Sequence, residues 1–150
     1  MRQQAKQISR ESVEEVLGRE RYGVLATTGE DGYAYASPSV FFYENNKIYF
    51  HCAYKGHKQD NFSYNNRISF CVVEAVTCKQ NPLNSDYRSV IAFGNVRTVE
   101  DESERMQAFI GLCKKYGMME KVEDPNYIQK RNKATKVICI DIEHITGRKP

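Results

Sequence analysis

Two of the chain's three histidines, His51 and His57, fall with Lys55 and Lys58 inside one stretch, IYFHCAYKGHKQDNFSYNNR at residues 48–67. Imidazole and ammonium groups gathered this closely suit the capture of an anion, a phosphate above all. The stretch also offers Cys52 with His57, or His51 with His57, as metal ligands. No second pair stands at a structural-zinc spacing, so no metal is expected. The backbone pattern supports the anion. Ile48, Phe50 and Cys52 alternate with Tyr49, His51 and Ala53, the period of a strand. Lys55 and Gly56 make a turn, and residues 57–64 read as one or two helical turns ended by Asn65 and Asn66. A helix start leaves N–H groups unpaired and pointing outward, and a lysine beside them adds a full charge. A strand that simply runs into a surface helix through a polar glycine turn has the same pattern, so spacing alone leaves both readings open.

The neighbouring elements must hold this stretch in place. Residues 8–20 read as an amphipathic helix with Ser9 as N-cap and Val13, Val16 and Leu17 on one face, laid against a sheet. Residues 23–28 form a short apolar strand, and GEDG at 29–32 has hairpin chemistry. The returning strand, YAYASPSVFFY at 33–43, contains Pro38, which cannot donate to a ladder. That predicts a bulge, a strand edge or a change of sheet, with Ser37 and Ser39 free to meet a ligand; a plain barrel corner is the other reading. ENNK at 44–47 is the next hairpin turn.

Downstream, ISFCVVEAV at 68–76 reads as a central strand, followed by a polar loop through Pro82. YRSVIAFGNVRTV at 87–99 is a long strand with Gly94 at a bulge or bend. Residues 101–116 form a helix opened by Asp101 and Glu104 and ended by Gly117, with Met106, Phe109, Ile110, Cys113 and Tyr116 on its core stripe. Residues 118–125 connect to a short helix at 126–132, and TKVICIDI at 135–142 is the last strand, leaving HITGRKP as a tail. Six antiparallel strands with flanking helices predict a small, mainly β (α+β) barrel, because closure removes exposed edges.

The chain's 150 residues suit a single domain over 1–150, and 41% hydrophobic with 27% charged residues excludes disorder. No run approaches the roughly 18 apolar residues of a membrane span, and the polar start MRQQAKQISRESVEE lacks a secretory signal, so a cytoplasmic protein is expected. A net charge of +3 with interleaved acids argues against nucleic acid. The basic run at 130–136, with Arg148 and Lys149, reads as solvated surface unless it reaches an anionic ligand. Five cysteines without CxxC spacing predict reduced thiols.

GVLAT at 23–27, GYAY and SPSV between 32 and 40, IYFHCA at 48–53, GHK at 56–58 with Asn61, YRSVIAFG at 87–94 and ITGR at 145–148 follow one another in a telling order. The set resembles the FMN-binding split-barrel superfamily typified by pyridoxamine 5′-phosphate oxidase, and most closely its nitroimidazole-resistance (Nim)-related branch. The resemblance spans nearly the whole chain. It implies a six-stranded antiparallel split β-barrel with flanking helices, assembled as a homodimer that holds FMN at the subunit interface. By that likeness the flavin ring lies along Pro38, Ser39 and Val40 and along Phe50, His51, Cys52 and Ala53. Lys58 contacts the phosphate, while His57 and Asn61 add hydrogen bonds to the phosphate or ribityl chain. Ser89, Val90 and Arg148 come from the opposite subunit.

The activity so implied passes electrons from NADH or NADPH through FMN to a small nitro- or quinone-like acceptor. His51 stands on the substrate side, and its ordinary pKa of about 6.5 suits a proton donor; a histidine merely bonded to backbone is the other reading. Cys52 faces the opposite way along the strand and contributes backbone rather than a nucleophile. The alternative is a non-catalytic flavin, deazaflavin or haem binding or storage protein, with His51 or His57 as axial haem ligand. The chain departs from the oxidase itself: it lacks a substrate arginine cluster, so pyridoxamine 5′-phosphate oxidation is not expected.

Overall fold

Local signals in the sequence set the ends of the elements. The Ser9 hydroxyl accepts from the Ser12 N–H at 3.2 Å and so caps α1 (Arg10–Arg19). Strands β1 (Gly23–Thr28), β2 (Ala34–Ser39), β3 (Phe42–Glu44) and β4 (Lys47–Cys52) follow, then α2 (His57–Tyr64) and β5 (Arg67–Val73). A small pair, β6 (Thr77–Cys78) and β7 (Ser85–Asp86), leads to β8 (Ser89–Thr98). Helices α3 (Glu102–Lys115), α4 (Met119–Val122) and α5 (Pro125–Ala134) precede the long β9 (Lys136–Arg148). This computed structural model describes residues 6–74, 77–78 and 85–150. The expected strand end at 75–76 and most of the loop through Pro82 lie outside the described residues.

The main sheet is antiparallel, in the order β2-β1-β5-β8-β9-β4-β3. It has seven strands instead of six because the expected strand at 33–43 is cut at Val40 and Phe41. Its two halves occupy opposite edges of the sheet, yet two residues join them. A sheet whose edges are so tethered has to curl until they nearly meet, which is the split barrel. Pro38 sits on the edge strand β2, paired with Val24, where a missing donor is tolerated. Asn45 and Asn46 take φ of 49° and 61° between β3 and β4, the turn geometry that suits the twist of a hairpin.

The expected tail is strand. β9 continues to Arg148 because β8 offers it a ladder from Thr98↔Ile138 to Ser89↔Arg148, with a register shift beside Phe93 and Gly94. Gly94 is required there: a Cβ would stand 2.1 Å from the Asp141 carbonyl oxygen.

Leu25, Phe41, Ile48, Phe50, Phe70, Val72, Val90 and Ile140 fill the barrel, and Val16 and Leu17 of α1 close it. Burying each of these larger side chains contributes roughly 1.5–3 kcal/mol. A second cluster of Tyr49, Val99, Ala108, Val137 and Cys139 lies beneath α3. The α3 stripe differs from expectation. Ala108, Gly111, Leu112 and Cys113 are buried while Met106, Phe109, Ile110 and Tyr116 are half-buried, because the helix approaches the Phe42 ring closely enough that a Cβ on Gly111 would stand 2.3 Å from it. Arg97 fastens α3 to the sheet: Nη2 donates to Glu104 at 2.7 Å and Nε to Asp141 at 2.6 Å.

Candidate functional site

β4 pairs with β9 so that His51 faces Val137 and Cys52 faces Lys136. Alternation along the strand buries Cys52 in the barrel and leaves His51 exposed, on the face where Tyr49 is covered by α3. The Gln59 amide donates to Cys52 Sγ at 2.9 Å, and Lys136 Nζ donates to Gln59 Oε1 at 3.4 Å. Burial pushes the Cys52 thiol above its ordinary 9.0, so it stays protonated and unreactive near neutral pH.

Beyond β4 the chain turns at Gly56, whose φ of 134° suits glycine, and α2 begins. No side chain caps this helix. The Gln59 and Asp60 N–H groups turn back to Gly56 O at 2.8 and 3.2 Å, while those of His57 and Lys58 come before them, at the open end of the helix. A Cβ added at Gly56 would meet nothing within 4 Å, so the space outside that end is open. Lys58 is half-buried beside it. The His57 ring packs on Tyr35 of β2, centroids 4.5 Å apart.

Asn61 is 2% exposed, and its Nδ2 donates to Thr27 Oγ1 at 2.8 Å. Its amide therefore lies beneath α2, where it fastens the helix to β1. His51 makes no hydrogen bond among the described residues. Burial of one side of its ring, then the charges of Arg131 and Lys58, hold its pKa below the ordinary 6.5. Those charges are uncompensated. No carboxylate forms an ion pair with Lys58, Arg131 or Lys136 among the described residues. The result is a positive, solvent-open surface around the exposed imidazole of His51.

The other expected site residues spread more widely. Pro38 and Val40 are exposed and Ser39 half-buried along the β2 edge. Ser37 is 7% exposed, and its hydroxyl finds no hydrogen-bond partner among the described residues. Phe50 is fully buried and offers a ligand only its backbone, while Ala53 is exposed just past β4. Ser89, half-buried, pairs with exposed Arg148 at the far end of β9, and the Val90 side chain lies in the core. His51 pairs at the near end of β9, up to about 35 Å away along extended strand. Within one chain the two groups do not meet.

Between them the outer face of the sheet is apolar. Val24, Cys71 and Ile91 form one cross-strand row, and Ala26, Ser69 and Phe93 the next. Ile91 is 38% exposed and Phe93 47%. A pocket of about 260 Å³ opens here beside Ala26, Ser69 and Phe93.

Sequence reasoning did not single out Tyr35, Gln59, Arg131 or Lys136. The signal for the last two was the basic run at 130–136: Arg131 acts on His51, while Lys136 pairs with Cys52 between β4 and β9 and so lies on the face opposite His51. Among the described residues no three of His, Cys, Asp and Glu gather as a metal site, and no helix is long and apolar enough to cross a membrane.

The chain's architecture is shared with solved proteins. A candidate 5-nitroimidazole antibiotic resistance protein from Bacteroides thetaiotaomicron aligns at 20% identity over 94% of this chain and 84% of that one, with a TM-score of 0.75. The FAD and haem binding protein from Mycobacterium smegmatis aligns at 18% identity over 96% and 73%, TM-score 0.79. A FAD-binding protein from Mesorhizobium loti aligns at 23% identity over 97% of each chain, TM-score 0.69. No curated protein matches the sequence. At these identities the likeness establishes the fold. Residues 9–149 match the description pyridoxamine 5′-phosphate oxidase, and with the curled antiparallel barrel they make this chain a member of that family.

Proposed function

We propose that this chain is an FMN-binding flavoprotein of the Nim-related branch. It passes electrons from NADH or NADPH to a small nitro- or quinone-like acceptor. The observation that carries the reading is His51, exposed and, among the described residues, without a hydrogen bond, near the uncapped start of α2 and a Lys58 that forms no ion pair there. Structural neighbours described as binding FAD, or FAD and haem, support a flavin.

When bound, FMN supplies the redox chemistry. Lys58 and the open N–H groups of α2 hold its phosphate, and the orphaned Ser37 hydroxyl and the β2 backbone at Pro38 to Val40 give the groove polar groups for the ring. Asn61 positions α2 through Thr27. In the free protein the His51 ring is neutral at pH 7, because its pKa lies below 6.5. Burial of the ring is the larger cause of that depression; an anion settling beside Lys58 and Arg131 offsets the smaller part due to their charges, which would help a ring nitrogen of His51 carry the proton that a reduced product needs.

The working unit is a homodimer. The apolar face bearing Val24, Ile91 and Phe93 supports it, and so does the separation of Ser89 and Arg148 from His51 along β9. Oxidation of pyridoxamine 5′-phosphate is not part of the proposal, since the sequence has no recognisable substrate arginine cluster. Four free cysteines among the described residues suit a reducing, cytoplasmic setting.

A carrier of flavin, deazaflavin or haem is the second reading, favoured by the same uncommitted imidazole, which suits an axial ligand. The absorption spectrum of the purified protein tests both. Flavin bands, or uptake of added FMN, followed by anaerobic bleaching with NADH or NADPH, are the expected result. A colourless protein that takes up no FMN refutes the flavin; a haem band, or a flavin that no nicotinamide reduces, selects the carrier.

A further inference from the structure

Between α1 and α3 the protein leaves a cavity of about 760 Å³, within the size range of small-molecule sites. Leu17, Phe42, Ile110 and Gly111 give it apolar walls, and Lys115, the last residue of α3, belongs to the same lining. The Lys115 side chain is half-buried, and two contacts hold its amine in place: Nζ donates to the Leu17 carbonyl at 2.9 Å and stands 3.6 Å from the centroid of the Phe41 ring. No carboxylate forms an ion pair with it among the described residues, whereas Arg88 and Arg97 each meet two. A helix C-terminus favours a cation, and so does the charge of Glu20. Burial outweighs both and, with Arg21 adding to it, lowers the Lys115 pKa to about 8. An amine so desolvated beside an apolar cavity is suited to act as a nucleophile, where an ordinary surface lysine stays protonated.

We propose that Lys115 captures carbonyl compounds, forming an imine with an aldehyde whose apolar body occupies the cavity between α1 and α3. The amine nitrogen bonds to the carbonyl carbon, its two protons leave with the carbonyl oxygen as water, and nothing is oxidised or reduced. Phe42 and Ile110 favour an apolar body over a polar one. Lys114 lines the same cavity but is exposed, so it lacks the desolvation that frees the Lys115 amine. The site is independent of the flavin reading, since none of its residues is assigned to the cofactor.

Benzaldehyde with sodium cyanoborohydride, which reduces the imine to a stable secondary amine, tests this on the full chain, with the labelled lysines read by peptide mass spectrometry. At about pH 8 Lys115 should be labelled about tenfold faster than Lys114, its exposed neighbour. With acetaldehyde, which lacks the ring, that preference should be at least about fivefold smaller, a modest share of what burying a phenyl group is worth. Ile110→Trp narrows the cavity and should slow benzaldehyde labelling of Lys115 while leaving Lys114 unchanged. The comparison of the two aldehydes needs no variant and stands if Ile110→Trp does not fold. Labelling of Lys115 no faster than Lys114, or an equal preference with both aldehydes, overturns the inference.

Discussion

Asn61 and Thr27 bind each other across the seam between α2 and β1, Nδ2 to Oγ1 at 2.8 Å, and both side chains are buried. The helix that presents Lys58 is thus seated on the sheet by a polar contact, and a polar contact away from water is costly to break. Asn61→Ala is expected to lower stability by about 1–3 kcal/mol in urea unfolding, because the Thr27 hydroxyl loses its donor. A variant unfolding at the parent's midpoint would mean that α2 is held otherwise.

Lys58→Ala should weaken FMN binding by about 1.5–3 kcal/mol, the range for hydrogen bonds to charged groups, and the deficit should shrink as salt rises. Fluorescence titration measures it. Unchanged affinity at low salt removes Lys58 from the phosphate site.

For His51, NMR titration of the free protein should give a midpoint below 6.5, moving upward when FMN is added. The folded pKa is lower than the unfolded one, so the unfolded chain binds more protons in acid and the His51 contribution to stability grows as pH rises toward 6.5. His51→Asn should lower turnover with the flavin still bound; equal rates in variant and parent would assign the ring a structural part only.

Glu104 reports on the anchor of α3. Arg97 foremost, with the Tyr49 hydroxyl and Lys47, holds its carboxyl down to about 2. The stabilisation is complete above the ordinary 4.5 and is lost as pH falls toward 2. After allowance for solvent screening, Glu104→Gln should cost about 1–2 kcal/mol at neutral pH and flatten the acid limb of the unfolding curve. An acid limb of unchanged shape would show that other carboxylates govern it.

Phe93→Asp, on the outer face of the sheet, should convert a dimer to a monomer in sedimentation while leaving the circular dichroism of the fold intact. A parent protein already monomeric at micromolar concentration would dispose of the shared groove.

Much of the barrel was legible because its signals are local. Ser9 and Asp101 announce their helices, Asn45 and Asn46 their hairpin, and Gly94 its bulge, each through the chemistry of a few neighbouring atoms. The cut at Val40 and Phe41 was legible only as one option at Pro38, a strand edge or change of sheet, since an unbroken apolar strand and two strands on opposite edges look alike until the sheet curls. Nor was the end of β9: HITGR reads as a polar tail and becomes strand only because β8 pairs with it. His51 and Lys58 are close in sequence and stay within electrostatic reach of each other, whereas His57 packs on Tyr35 of β2. Arg131 arrives from α5, far along the chain, through a packing that no short window of residues reveals.

β9 lies between β8 and β4 and laces both, although four strands and four helices separate β4 from β9 along the chain. On the ribosome the hairpin of β3 and β4 therefore waits, one flank unpaired, until β9 has emerged. Partnerships this remote in sequence slow the search for the native state and leave sticky edges bare meanwhile. Chaperone demand in the cell should track the time the last strand takes to emerge.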